Sequence, residues 1–209
     1  MEILINSFVV LFVVIDPIGV ALIFYTLTHN IDIRQQRRTA LRGVTLATVI
    51  LLVFFLIGDI LLRRLGISIP AMRIAGGSLL FLLAIDMILV RQSGLRSTTR
   101  REQQEAEHKE DVSVFPLAFP LIAGPGALTT VLLMASSSPR PVIFAGMIVV
   151  LLLVLATTLL SLFFASNMMR ILGETGTNVI SRLLGLILAA LAVQYVIDGI
   201  KASFFDQTV

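Results

Sequence analysis

The 209-residue sequence predicts an all-α, polytopic membrane protein, with six transmembrane helices forming two inverted three-helix repeats and with helices one and four broken. Three observations carry that prediction. The chain is 57% hydrophobic and only 14% charged, with a mean hydropathy of +0.98, whereas a water-soluble domain has roughly 45–50% apolar and about 25% charged residues. Six apolar runs reach the roughly 20 residues that a bilayer-crossing helix needs. Landmarks of the first half also recur in the second at a nearly constant offset.

Hydropathy predicts spans over Ile3–Leu27, Leu41–Leu62, Ile67–Val90, Val112–Ser136, Pro141–Ala165 and Val179–Ile200. Only Glu2 precedes the first run, which has neither a basic leader nor a small-residue cleavage site after it. It is expected to be a retained span and not a signal peptide. Near its middle stands Asp16-Pro17-Ile18-Gly19. Pro17 removes a helical hydrogen bond and crowds the turn before it, so the helix should kink or open there. Gly19 lets another backbone come close. A carboxylate at this depth costs roughly 2.5–3.5 kcal/mol, so Asp16 should face the protein interior or water. Two readings stand: part of a solute site, or a cap on the helix that restarts after the break.

Span three opens with Arg73, and Gly76 and Gly77 follow it as small residues suited to close helix packing. Residues 91–111 form the longest polar stretch, a charged loop without assigned chemistry. It divides the chain into a first repeat, residues 1–90, and a second, residues 112–209. In span four, Gly124-Pro125-Gly126 can hardly remain regular helix. Unwinding there would expose carbonyls on one side. On the other it would expose the first amides of a half-helix carrying Thr129 and Thr130, a ready site for a carboxylate. The alternative is a notch that lets helices cross closely. Span six opens with Arg182 and carries Gln194 and Asp198 one turn apart. Arg73 and Arg182 either reach toward a substrate anion or snorkel to headgroups. Gln194 and Asp198 read as hydrogen-bonded glue ahead of a polar route.

The repeat is visible in these landmarks. Pro17 is answered by Pro125, 108 residues on, and Arg73 by Arg182, 109 residues on; Leu65-Gly66 returns as Leu172-Gly173. Three-span units must cross the membrane in opposite senses, the inverted-repeat plan of many secondary transporters, and matched breaks in the two halves point to a midplane site. Eleven of the 16 Lys and Arg residues fall on the side of the loops after spans one, three and five, which puts both termini outside the cytoplasm.

Several chemistries are excluded. There is no cysteine, so no disulfide or thiolate chemistry, and both histidines fall in predicted loops, so no metal site is expected. The basic balance of +3 and pI of about 9.9 come from residues between apolar runs, which argues against nucleic acid. No Walker sequence and no nucleophile–base pair is present, so the chain reads as neither an ATPase nor any other enzyme, and no cofactor is expected.

Four segments resemble the MarC family of bacterial inner-membrane proteins. They are Asp16-Pro17-Ile18-Gly19, Arg73 to Gly77, Pro116 to Ala127 and Gly176 to Gly185; the run Pro116-Leu117-x-x-Pro120-Leu121-x-x-Gly124-Pro125-Gly126 is the most specific. The family is placed near the LysE-type exporters. The resemblance implies six spans, an inner-membrane address and transport of a small neutral amino acid or related metabolite. In one departure, Leu22 stands where family members often carry a second proline, so span one is expected to be less broken than in relatives.

Together these readings predict a secondary transporter of a small polar solute in the inner membrane. Gly124, Pro125, Gly126, Thr129 and Thr130 would take a carboxylate. Asp16, with Pro17 and Gly19 shaping the backbone around it, would take an ammonium or a coupling proton. Arg73 and Arg182 are the remaining solute-binding candidates. The expected partners are the bilayer and the solute; a proton or Na+ as coupling ion and self-association stay open. The alternative is a non-transporting scaffold or subunit of a larger membrane complex, with an intramembrane lipid enzyme weaker still.

Overall fold

The computed structural model describes residues 2–89, 112–136 and 141–204. The charged segment 91–111 lies outside them. Every element among the described residues is helical: α1 (Glu2–Ile15), α2 (Pro17–Thr28), α3 (Ile33–Arg64), α4 (Ile69–Leu89), α5 (Ser113–Ile122), α6 (Pro125–Ser136), α7 (Pro141–Phe163) and α8 (Ala165–Phe204). Five stretches are long and apolar enough to cross a membrane, with α1 and α2 together forming one of them. The pair α5–α6, bent by 57°, makes the sixth when counted as a single span.

The exposed surface explains the composition. On α3, Leu46, Val49, Val53, Leu56, Ile57 and Ile60 are all exposed and recur at helical spacing, forming one continuous apolar stripe. Water would not tolerate an apolar face this long, whereas lipid solvates it. Phe55, Leu51 and Ala47 on the opposite face are buried in the core.

Two predicted boundaries move. The second helix starts at Ile33, well before Leu41, and the last starts at Ala165, ahead of Val179. Hydropathy marks only the immersed part of a helix. At 1.5 Å per residue the 32 residues of α3 span about 48 Å against a hydrocarbon layer of about 30 Å, so its polar first turns continue beyond the apolar run. The last helix is interrupted at Gly173, whose φ of 64° and ψ of 178° only glycine adopts readily. Gly66, its partner in the sequence repeat, also has positive φ, at 69°.

The halves cover one another crosswise. The second helix of the first half, α3, packs on α5 and α6; that of the second half, α7, packs on α1 and α2. The third helices, α4 and α8, run against each other. Their approach is close because of small residues: a Cβ on Gly77 would lie 2.7 Å from the Ala192 carbonyl oxygen, and one on Gly185 would lie 2.9 Å from Met87 Cβ. The broken spans are thereby held in the middle of the bundle, each against the long helix of the opposite half.

Candidate functional site

The first break is a single residue. Asp16 has φ 49° and ψ 71°, the left-handed region that Asp and Asn enter more readily than other side chains. Its amide closes α1 on the Phe12 carbonyl at 2.9 Å, and its carbonyl opens α2 by accepting from Val20 N at 3.0 Å. Pro17 follows at the first helical position, where its missing N–H would have had no partner anyway. Asp16 Oδ1 accepts from Gly19 N at 3.1 Å, and the residue is 0% exposed. The carboxylate lies over Gly19 so closely that a Cβ there would overlap Oδ2. Capping is therefore what this side chain does in this conformation, with the α2 amides and dipole facing the carboxylate.

The second break is longer than the glycine–proline motif alone predicts. It begins at Val112, with i→i+5 bonds from Leu117 N to the Val112 carbonyl at 3.3 Å and from Ala123 N to the Ala118 carbonyl at 2.9 Å. Phe115 and Phe119 are extended, as residues before proline are pushed to be, and both of their peptide bonds to Pro116 and Pro120 are cis. Regular winding resumes at Pro125, where the Gly124 carbonyl accepts from Leu128 N at 3.0 Å. Gly124 has no room for a side chain, because a Cβ would overlap the Pro120 carbonyl oxygen. Thr130 Oγ1 donates to the Gly126 carbonyl at 2.8 Å, and the methyl of Thr129 fills the space left by Gly76.

The two breaks meet inside the bundle. A Cβ on Gly126 would stand 3.4 Å from Val14 Cγ1, two residues before Asp16, and 3.1 Å from both Leu80 Cδ2 and Leu83 Cδ2. Between them lies a cavity of about 20 Å³, bordered by Val14, Leu83, Pro120, Gly124, Pro125 and Gly126. That volume holds a water molecule and nothing as large as a metabolite. The seam between the two breaks is closed in this conformation.

Farther along the same helices, toward the chain's N-terminus, a cavity of about 260 Å³ opens at the end of the bundle. On α4 it is reached at Arg73, six residues or about 9 Å from Leu79 at the small cavity; on α6 the step from Ala127 to Leu133 is the same. Its polar wall comprises Asn6, Ser7, Arg73, Tyr195 and Asp198. Asp198 Oδ1 accepts from Gln194 Nε2 at 2.8 Å, the pairing expected from their spacing. Tyr195 is within electrostatic range of both Arg73 and Asp198.

The sequence-derived candidates thus separate into groups. Asp16, Pro17 and Gly19 form one break and Gly124, Pro125 and Gly126 the other, with Thr129 and Thr130 buried in the turn after it. Arg73 belongs to the outer cavity. Arg182, its repeat mate, is exposed on α8 and borders neither cavity. Asn6, Ser7 and Tyr195 were not singled out by sequence; the available signal was Tyr195 lying one turn from Asp198, at the membrane end where Asn6 and Ser7 also fall. Among the described residues, no three His, Cys, Asp or Glu side chains form a group that could hold a metal ion.

The chain belongs to the MarC family: the model of the MarC family integral membrane proteins matches residues 1–204. Relatives are found in bacteria and archaea. The UPF0056 membrane protein YvbG of Bacillus subtilis is 34% identical, covering 96% of this chain and 95% of the relative. A UPF0056 membrane protein of Archaeoglobus fulgidus is 34% identical over 93% and 90%. The UPF0056 membrane protein YhcE of Escherichia coli is 33% identical over 94% and 91%. No solved structure matches the chain at a significant level.

Proposed function

We propose that this MarC-family membrane protein is a secondary transporter of a small polar metabolite such as a neutral amino acid. The supporting observation is the meeting of two helix breaks, one from each half, in the buried centre beneath a cavity open at one end. Irregular backbone at membrane depth is tolerated where it is buried in protein or lines a cavity, and paired breaks are the usual setting of a midplane site. In this reading the chain would act without covalent chemistry and without a cofactor.

In this reading the closed seam between Val14 and Gly126 is one state of an alternating-access cycle. Rocking one three-helix unit against the other would part the seam. The amides at the start of α6 would then meet a solute carboxylate, and Asp16 a solute ammonium or a coupling proton. The crosswise packing of α3 and α7 supports treating the halves as inverted repeats. The protein would sit in the inner membrane with both termini periplasmic, which places the 260 Å³ cavity on the periplasmic side.

The test is counterflow of radiolabelled glycine, alanine, serine and threonine in proteoliposomes, with Gly126→Ala and Asp16→Asn beside the parent. Saturable uptake is expected. Gly126→Ala should lower it by about tenfold, since its methyl wedges into the seam. Absence of uptake across the panel in folded protein rejects the amino-acid substrate. If the protein also retained a stoichiometric partner through purification, the scaffold reading would replace transport.

A further inference from the structure

We infer that the 260 Å³ cavity at the N-terminal end of the bundle is itself a binding site for a small free zwitterion, separate from the midplane breaks. Its walls come from five helices, α1, α4, α6, α7 and α8, so it is a mouth of the bundle and not a dent in the lipid-facing surface. Two opposite charges line it. Arg73 makes no hydrogen bond or ion pair with any described residue, and Asp198 is held by Gln194 without being joined to Arg73. An arginine that borders a cavity among packed helices, with no hydrogen bond or ion pair to any described residue, is set up to take an anion, and a carboxylate is the planar group its fork matches. An oriented Asp198 on the same wall suits an ammonium.

The rest of the wall sets the size and character of the ligand. Val10, Leu133, Met134 and Met147 are buried and apolar, facing a small aliphatic side chain more readily than a charged one. A cavity of about 260 Å³, against about 20 Å³ at the breaks, has room for a compact solute. Asn6 and Tyr195 add polar groups at the rim. A charge pair on a compact aliphatic frame, such as alanine or valine, satisfies all of these features. Arg182, the repeat mate of Arg73, is exposed and lines neither of the two cavities described.

Equilibrium binding to the purified full chain in nanodiscs of phosphatidylglycerol tests the site independently of transport. The probes are alanine, valine, alaninamide (which lacks the carboxylate) and propionate (which lacks the ammonium). The parent should bind alanine and valine saturably and both analogues more weakly. Arg73→Gln and Asp198→Asn, the second keeping an acceptor for Gln194, should each weaken alanine binding by about tenfold or more. Arg73→Gln should leave alaninamide binding as it was, and Arg64→Gln, an exposed arginine ending α3, should change nothing. Absence of alanine and valine binding in folded parent overturns the proposal, as does unchanged affinity in both variants. Competition by phosphatidylethanolamine added to the nanodiscs would also overturn it, because the site would then take a lipid headgroup. Binding that survives Gly126→Ala while counterflow falls would support a site distinct from the breaks. Binding without any counterflow in the parent would support this site while rejecting the transport reading alone.

Discussion

The two breaks solve one problem in different ways. In lipid every amide and carbonyl that a helix gives up must find another partner. At Asp16 a side chain solves it: one left-handed residue ends α1, starts α2 and caps Gly19 with its own carboxylate. At 112–124 the backbone solves it. Prolines at 116, 120 and 125 have no amide to leave unpaired, and wider i→i+5 bonds take up much of what remains. The first break is chemically specified and compact; the second is sterically specified and spread over a dozen residues. Substitutions should therefore act on the first by removing a polar group, and on the second by adding volume.

The largest effect is expected at Asp16. Asp16→Ala keeps the backbone in the left-handed region without a residue that favours it, at about 1–2 kcal/mol, and strips a buried amide of its acceptor, at about 1–3 kcal/mol. A loss of roughly 2–5 kcal/mol should appear in reversible unfolding in mixed micelles. Asp16→Asn keeps both the acceptor and the tolerance of left-handed geometry, so its cost should stay under about 1 kcal/mol. Equal destabilisation by Ala and Asn would mean that the negative charge, and not the cap, holds this break together. That result would erase the contrast just drawn.

Next comes Gly124→Ala, at about 1–3 kcal/mol, because its Cβ meets the Pro120 carbonyl, a backbone atom with no rotamer to yield. Gly126→Ala should cost less, since the leucine and valine methyls around it can shift by a few tenths of an ångström. If Gly126→Ala proved the more damaging of the two, the seam between the breaks, and not the winding of the second break, would be the rigid part.

Much of this was legible in the sequence because lipid imposes simple rules. The apolar runs, Pro17 and the Gly124-Pro125-Gly126 motif announce spans and breaks through composition alone. Repeat spacing also singled out Gly66 and Gly173, both of which have positive φ. What stayed hidden depends on how helices are rotated about their axes. Arg73, Tyr195 and Asp198 converge only because α4 and α8 turn those faces inward, whereas Arg182, with the same sequence credentials, faces outward. The π-type winding before Gly124 was equally invisible, since nothing in hydropathy distinguishes an i→i+5 bond from an i→i+4 one.

The smallest effect should come from Thr130→Val. Its hydroxyl donates to the Gly126 carbonyl at 2.8 Å, inside a helix whose carbonyls already have amide partners, so losing it should cost about 0.5–1 kcal/mol. Near-neutrality makes this variant informative. The threonine hydroxyl occupies the second lone pair of a carbonyl at the start of α6; removing it opens that lone pair to a solute or ion without adding volume to the seam. If the second break serves only as packing, Thr130→Val should leave counterflow within about twofold of the parent, in line with its small stability cost. A larger shift in apparent affinity, with stability unchanged, would place the solute at this carbonyl and make the sterically specified break the one that does the binding.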